Sequence, residues 1–294
     1  MPPSLPATGP SPGIEVAVRP ITDLPALRQV EALQQAVWGM APLDVVPAHQ
    51  LLAATAAGGV VLGAFAPDGT LVGFCYGFVG MRDGHPFFYS HMAGVVDAYR
   101  GRAVGLALKR AQRGAALARG LDRMVWTFDP LQSANAHFNF RKLGVTARRY
   151  YVDYYGEMAD ALNRGLPSDR LEVDWELRSP EVVARLEGEG EQADARRAEG
   201  RWDAAAQEAP AALEATTGGP WPRPGDPLTD LDAPAVRLAI PADLGRLRRE
   251  DPALALAWRE ATRTAFLAYF ARGYAAVDFL RGPTVGHYLL RTVR

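Results

Sequence analysis

The chain has 294 residues, 48% of them hydrophobic, and a formal net charge of −1. That is enough apolar matter to pack one large or two small domains, and it excludes a globally disordered chain. The near-zero charge supplies no long-range field, so neither nucleic acid nor an anionic membrane is expected as a partner.

The start, MPPSLPATGPSPG, is proline-rich and lacks a basic leader, so residues 1–13 read as a disordered tail rather than a signal peptide. No apolar run reaches the about 18–20 residues needed to span a bilayer. The one cysteine, Cys75, sits in LVGFCYGFVG and can form neither an internal disulfide nor a thiolate metal cage. It reads as a buried small side chain in a cytoplasmic protein.

IEVAVRPI alternates like a short strand, and Thr22 or Asp23 can cap the helix LPALRQVEALQQAVWG. A second helix, VVPAHQLLAATAAGG, ends on glycines. VVLGAFAPDGTLVGFCYGFVG is a hairpin turning at Pro67–Thr70, and a second turn at Arg82–His85 leads into the strand PFFYSHMAGVV. From Arg102 to Arg119 apolar residues at 104, 108, 111, 115 and 118 mark one helical face, with Lys109, Arg110 and Arg113 assigned to the opposite, solvated face. LDRMVWTFDP is a strand ending at Asp129-Pro130, SANAHFNFRKLG a short helix, and VTARRYYVDYYGEM another strand.

Residues 187–234 are dominated by Ala, Glu, Gly and Pro with little apolar periodicity, the composition of a linker or a loosely packed helical excursion. Order returns at Ala235: VRLAIP is a strand, a helical stretch broken at Pro252 follows, and YAAVDFL and GHYLLRTV are strands. RPITDLPALR near the start is echoed by AIPADLGRLR, which reads either as a degenerate half-copy or as the common look of a capped helix after a strand.

The most informative stretch is AGVVDAYRGRAVGLALKR at 93–110. A strand passes into a helix N-terminus, where the first backbone N–H groups lack partners and the dipole adds partial positive charge. Small residues at 101, 103 and 105 admit a phosphate, and Arg100 and Arg102 flank it. The spacing is neither GxGxxG nor a Gly-Lys-Ser/Thr loop.

VVDAYRGRAVGLALK resembles the cofactor motif of the GNAT acyl-CoA-dependent N-acyltransferase superfamily, V-x-P-x-x-[QR]-x-x-G-x-[GA]. Val95, Arg100 and Gly105 fall in register; Asp97 stands in place of proline and Ala103 in place of the first motif glycine, where alanine calls for a negative φ. The order of elements over residues 14–158 is that of the superfamily. WTFDPLQSANAHFNFRKLG, with IPADL…AWREATRTAF…GYAAVDFLRG, resembles a branch of uncharacterised GNAT proteins with a C-terminal extension. The implied fold is α/β of the α+β type. A mixed, mostly antiparallel twisted sheet is flanked by helices and carries a C-terminal β-α-α-β-β extension. The expected domains are a GNAT domain at 14–178, a helical or low-complexity linker at 179–234 and the extension at 235–294.

The resemblance implies acetyl-CoA or another acyl-CoA as cofactor and no metal. Ala93, Gly94 and Val95 would pair with its pantetheine arm, and Arg100, Gly101, Arg102, Ala103, Val104, Gly105 and Leu106 would hold the diphosphate. Asn135, which shares a helix face with Asn139, is the further cofactor contact or else a helix cap. An amine would attack the thioester directly, with a backbone N–H near Val95 meeting the developing oxyanion. Strand alternation from Val95 puts Ala93, His91 and Tyr89 on one face. His91 is the candidate base, Tyr89 a weaker one, and a packed core histidine the alternative. Many relatives carry an acid tyrosine where this chain has Phe140. A tyrosine of RRYYVDYYG then substitutes, Tyr154 among those lining the cleft, or the thiolate leaves unprotonated. Asp129 binds a substrate ammonium or caps its loop. Arg259 and Arg263, four apart, hold a substrate carboxylate or form a solvated basic face. No H-E-x-x-H spacing links the scattered histidines 49, 137 and 287, so a metal is not expected.

The expected activity is transfer of an acetyl or other short acyl group, succinyl included, to a small-molecule amine such as an amino acid, in a monomer or a homodimer. Two alternatives stay open: a coenzyme A sensor without transfer chemistry, and an interaction protein using residues 187–234.

Overall fold

In a computed structural model of the chain, the described residues are 16–158, 164–187, 204–216 and 218–293. The expected tail at 1–13 and residues 188–203 of the expected linker lie outside them. Compactness divides the chain after Trp126, inside the stretch expected as one domain, and gathers residues 127–158 with the C-terminal half.

In the first unit the order is β1 (Ala17–Pro20), α1 (Leu24–Trp38), α2 (Ala48–Ala56), β2 (Val60–Phe65), β3 (Leu71–Arg82), β4 (His85–Val95), α3 (Val104–Leu117) and β5 (Arg123–Phe128). Strands β1 to β4 pair antiparallel in sequence order, and β5 lies parallel to β4. The turn residues act as their chemistry requires. Thr70 N–H donates to Asp68 Oδ1 at 2.9 Å, and the second turn places Asp83 and Gly84 at φ 52° and 76°. Asp23 caps α1 by accepting from Ala26 N–H at 2.9 Å. One face of the sheet is covered by α1 and α2, whose Leu27, Val30, Leu33 and Leu51 pack on Phe74 and Tyr76. On the other face lies α3, where the buried Cys75 thiol donates to the Leu108 carbonyl at 3.8 Å and burial pushes its pKa to about 12.

The face that α3 buries differs from the expected one. Val104, Leu108, Lys109, Gln112, Ala115 and Ala116 point inward, so the stripe is rotated toward Lys109 and Gln112. Lys109 is only 4% exposed, which corrects its assignment to the solvated face. Alanine marks no side of a helix, so a stripe read from alanines at 111 and 118 had a weak anchor.

The second unit holds α4 (Ser133–His137), a π-helical turn at Phe138–Leu143, β6 (Thr146–Tyr151), β7 (Arg170–Glu176), α5 (Pro180–Glu187), α6 (Ala204–Glu208), β8 (Ala211–Leu213), β9 (Ala215–Thr216), β10 (Arg223–Pro224), β11 (Ala235–Pro241), α7 (Leu244–Glu250), α8 (Pro252–Ala271), β12 (Tyr274–Leu280) and β13 (Val285–Thr292). Its strands run β7-β6-β12-β13-β11-β8, with only β8 parallel to its neighbour. Asp243 and Asp251 cap α7 and α8, each through a 2.9 Å bond from a backbone N–H three residues on. The echo of the N-terminal segment therefore extends to the caps. It stops at the strand order: β1 pairs the second strand of its set, whereas β11 pairs the third.

Much of the expected linker is packed structure. Arg185 on α5 donates to the Phe140 carbonyl at 2.7 Å, and Ala212 and Leu213 are fully buried. Apart from β10, residues 221–233 have no regular structure; Gly225 and Leu228 N–H donate to the Glu214 and Ala212 carbonyls, and side chains at and just after α8 supply further bonds. Trp258 Nε1 donates to Pro222 O and Tyr269 OH to Leu228 O, both at 2.9 Å, and Arg272 Nη1 to Thr229 O at 3.0 Å. A segment held by another element's donors needs no periodicity of its own, which is why composition alone read it as loose.

Candidate active site

The decisive local feature is in β4. Tyr76 of β3 lies opposite Met92 and the next residue, Gly77, opposite Ser90, so His91 is one extra residue on β4. This β-bulge breaks the alternation assumed from sequence. Tyr89 faces with its partner Phe78, and Met92 with Tyr76, on the α1 side. The His91 ring stands among them, its centroid 5.8 Å from Tyr76, 6.0 Å from Phe78 and 6.1 Å from Tyr89. Beyond the bulge Gly94 meets α1 at Val37 and Trp38, whereas Val95 reaches toward Leu108 on the α3 side. His91 and Tyr89 thus share a face as expected, but Ala93 and Val95 lie on the opposite one. Gly77 permits this close passage: a Cβ there would stand 2.6 Å from the Tyr89 carbonyl oxygen and closer still to the Phe88 ring.

His91 is exposed as a residue, yet partial burial of its ring among these aromatics disfavours the imidazolium, lowering its pKa from the ordinary 6.5. A neutral imidazole at pH 7 can accept a proton.

Parallel pairing of β4 with β5 covers Phe88–Met124 and Tyr89–Val125 only. From Ser90 to Val95, β4 continues with β3 as its recorded strand partner among the described residues. This half-strand then enters a 3₁₀ turn at Asp97–Tyr99. Arg100 is folded back on it, donating from Nε to Val95 O at 3.2 Å and pairing with Asp97 at 2.9 Å. Asp97, where the motif has proline, thus gives the loop an ionic latch. Arg102 stacks over the Tyr99 ring at 5.4 Å.

Ala103 is the N-terminal cap residue of α3, with φ 59° and ψ 6°. The expected negative φ is not adopted: alanine here takes the left-handed conformation that glycine takes at no steric cost. Gly101 is also left-handed, at φ 77°. No side chain caps α3, and the Ala103 carbonyl accepts its first helical bond from Ala107 at 3.0 Å, leaving the N–H groups of Val104, Gly105 and Leu106 without an intrahelical acceptor. Ala103 is exposed and loses no packing when trimmed. Ala103→Gly is therefore expected to raise stability by up to about 1 kcal/mol, the relieved strand-to-helix strain less the entropy of a freer unfolded chain. A urea titration checks it, and a lower midpoint would contradict the conformation.

Three expected substrate or cofactor residues lie in the second unit. Asn135 is exposed and third in α4 rather than at its cap, so capping does not account for it. Tyr154 is 46% exposed, with its ring 4.7 Å from those of Tyr151 and Tyr155. Asp129 is different: it is 8% exposed, its two oxygens accept from Arg259 at 2.7 and 2.8 Å, and Oδ1 also caps Leu131 N–H at 2.9 Å. Its carboxylate is satisfied internally, so it is corrected from an ammonium ligand to a structural anchor. Burial alone would raise its pKa, yet the Arg259 charge and hydrogen bonds bring the net shift downward. Arg263 is likewise bound, to Asp169 at 2.9 Å through two nitrogens, and Tyr150 OH donates to the same carboxylate at 2.7 Å. The two arginines form neither a substrate clamp nor a solvated face. Phe140 is fully buried, its ring centroid 5.6 Å from that of Tyr288.

Among the described residues no group of His, Cys, Asp and Glu could hold a metal, and no helix is long and apolar enough to cross a membrane. No family model matches the chain, and no curated protein does. Solved structures similar to part of it include Naa50 of Arabidopsis thaliana in complex with the bisubstrate analogue CoA-Ac-MVNAL, at 19% identity over 55% of this chain and 98% of that one, TM-score 0.43. Another is the ribosomal-protein-S18-alanine N-acetyltransferase from Escherichia coli, at 11% identity over 56% and 95%, TM-score 0.45. A third is the GNAT superfamily phosphinothricin acetyltransferase from Sinorhizobium meliloti in complex with AcCoA, at 16% identity over 55% and 88%, TM-score 0.44.

Proposed function

We propose that the chain is a GNAT-type acyl-CoA-dependent N-acyltransferase. It moves an acetyl or other short acyl group, succinyl included, to the amine of a small molecule such as an amino acid, by direct attack in a ternary complex. The observation that carries this is the half-strand Ser90–Val95, bulged at His91, without a strand partner on its β5 side among the described residues, and leading into a helix N-terminus with no side-chain cap.

The residues present fit coenzyme A. Free N–H groups at Val104, Gly105 and Leu106 suit a diphosphate, Gly101 and Ala103 keep side-chain bulk away from it, and Arg102 is exposed beside it. Ala93, Gly94 and Val95 offer backbone groups to an extended arm, as an added strand would. Asn135 is retained as a cofactor contact on the resemblance alone. When bound, the cofactor supplies an acyl thioester whose carbonyl is open to an amine.

The chain's own part is to position and to move a proton. His91 accepts the amine proton at its ring nitrogen, and Tyr89 beside it is the second candidate. The Val95 N–H is the donor for negative charge developing on the acyl oxygen. Arg100, held on Val95 O and Asp97, fixes the loop between these two tasks. A small acceptor and Tyr154 as a substrate contact are retained on the resemblance alone.

One observation favours the sensor alternative: buried Phe140 cannot donate a proton where an acid is usual. Calorimetry with coenzyme A and thiol release from a panel of acyl-CoA donors against amino acids and polyamines separate the outcomes. Binding with thiol release supports the enzyme, binding without release supports the sensor, and no binding at millimolar ligand sinks both.

A further inference from the structure

Beneath β4, on the side away from His91, lies a polar cluster that neither the cofactor motif nor the proposed chemistry uses. Lys109 Nζ donates to Ser90 Oγ at 2.8 Å and to Gln112 Oε1 at 3.3 Å, and Ser90 Oγ donates to that same Gln112 oxygen at 2.8 Å. The ammonium lies 3.8 Å from the centroid of the Trp126 ring. Lys109, Ser90 and Gln112 are each at most 4% exposed, and Gln112 Nε2 has no hydrogen-bond partner among the described residues. A buried cation is normally matched by a carboxylate, because the interior repays little of the lost hydration otherwise. Here the acceptors are neutral: a hydroxyl and an amide oxygen, with a π face alongside.

The location gives this arrangement a use. Ser90 is the residue immediately before the bulge, and Lys109 is about one and a half turns into the helix whose N-terminus faces the proposed diphosphate. We infer that Lys109 is a positioning residue: by holding Ser90 and Gln112 against the Trp126 ring, it ties helix α3 to the bulge of β4 and so fixes where His91 stands. Naming His91 as the group positioned rests on the acyltransferase reading; the clasp itself does not. Because α3 is one rigid rod, a ligand that draws its N-terminus also moves Lys109, and the hydroxyl it grips is covalently next to His91.

The clasp carries its own proton dependence. Burial lowers the Lys109 pKa to about 7, with the Cys75 thiol of β3 the one other titratable group acting on it and that thiol protonated throughout this range. Its hydrogen-bond and ring partners from β4, α3 and β5 among the described residues are Ser90, Gln112 and Trp126, all uncharged. As an ammonium, Nζ is donor only. On losing its proton it gains a lone pair, which the unpartnered Gln112 amide can meet by turning. Two hydrogen-bond patterns therefore exchange close to neutrality. The stability sign is opposite to that of a lysine whose pKa a carboxylate partner raises. The unfolded lysine keeps its proton to about 10.5, so stability rises with pH between 7 and 10.5 and the cost of the buried charge is greatest below 7.

Two variants of the full chain test this. Lys109→Met removes the charge at similar length, and Gln112→Glu gives the ammonium a carboxylate. Wild type should show a step in Trp126 emission, assigned by its loss in Trp126→Phe, with a midpoint near 7. Lys109→Met should abolish the step, and Gln112→Glu should move it up by about one unit or more. The His91 imidazole resonance should follow the same midpoint in wild type and lose that component in Lys109→Met. Lys109→Met should be at least as stable as wild type at pH 6 while kcat falls about 10- to 100-fold with little change in the KM for acyl-CoA. A purely structural lysine predicts the reverse, a less stable variant with kcat intact. Emission without a step, a step indifferent to Gln112→Glu, or a His91 resonance indifferent to Lys109→Met would each overturn the role. If no donor gives thiol release, the acyltransferase reading fails, while emission and stability still decide the clasp.

Discussion

Arg259→Met is expected to cost about 3–5 kcal/mol of folding stability, seen as a fall in the urea midpoint without a change in slope. The substitution leaves the Asp129 carboxylate buried in the second unit without the guanidinium that now meets both its oxygens at 2.7 and 2.8 Å, with the more distant Arg170 charge remaining. Replacing both partners is a different matter. Asp129→Leu with Arg259→Met removes the stranded charge and should return to within about 1–2 kcal/mol of wild type, the remainder being the bared Leu131 N–H and imperfect packing. A loss below about 1 kcal/mol in the single variant would show that water reaches the pair. The sign of the pH dependence follows from the depressed Asp129 pKa. The stabilisation is present above 3.8, the ordinary value, and is lost as pH falls through the lower folded value.

The second large effect concerns turnover. His91→Ala should lower kcat by about 10²–10⁴-fold while coenzyme A binding, measured by calorimetry, stays within a few-fold. Since the aromatic surroundings lower the imidazole pKa, the acidic limb of kcat/KM in wild type should lie below 6.5. Protonation there removes the base, so activity falls with falling pH and not with rising pH. Full turnover in the alanine variant would end the assignment, and an acidic limb at 6.5 or above would show that Tyr76, Phe78 and Tyr89 do not shield the ring.

The parts of the fold that were legible in sequence are those fixed by local chemistry. Asp68 and Gly69 set one hairpin and Asp83 and Gly84 the next; Asp23, Asp243 and Asp251 each start a helix through a bond to a backbone N–H three residues on. What sequence did not show are arrangements made by distant partners. RLEVDWE alternates charged with apolar residues as a half-buried strand does; what the alternation does not show is that Glu172 is buried against Arg149 and Tyr151 of the neighbouring strand. The Asp129–Arg259 pair joins positions 130 apart, so each residue alone looked like a free charge available to substrate. Lys109 was placed outside because lysine is almost always there, and only its neighbours Ser90 and Trp126 mark it otherwise.

In the candidate site, the motif located the loop from Val95 to Leu106 but not its conformation. Alanine at 103 gives no hint of a left-handed backbone, which is imposed by the strand-to-helix connection around it. The extra residue at His91 is equally silent, since a bulge leaves the hydrophobic pattern of PFFYSHMAGVV readable in either phase.

That supernumerary residue gives β4 one point at which its length can change. Exchanging one side chain for another along it is a local edit. Deleting His91 would remove the bulge and restore strict alternation, leaving Ser90 opposite Gly77 and Met92 opposite Tyr76 as they are now, so the sheet would survive while the imidazole was lost. Adding a further residue to the strand has no such outlet and would turn over the half beyond it, so gains of residues should be confined to the loops at its two ends.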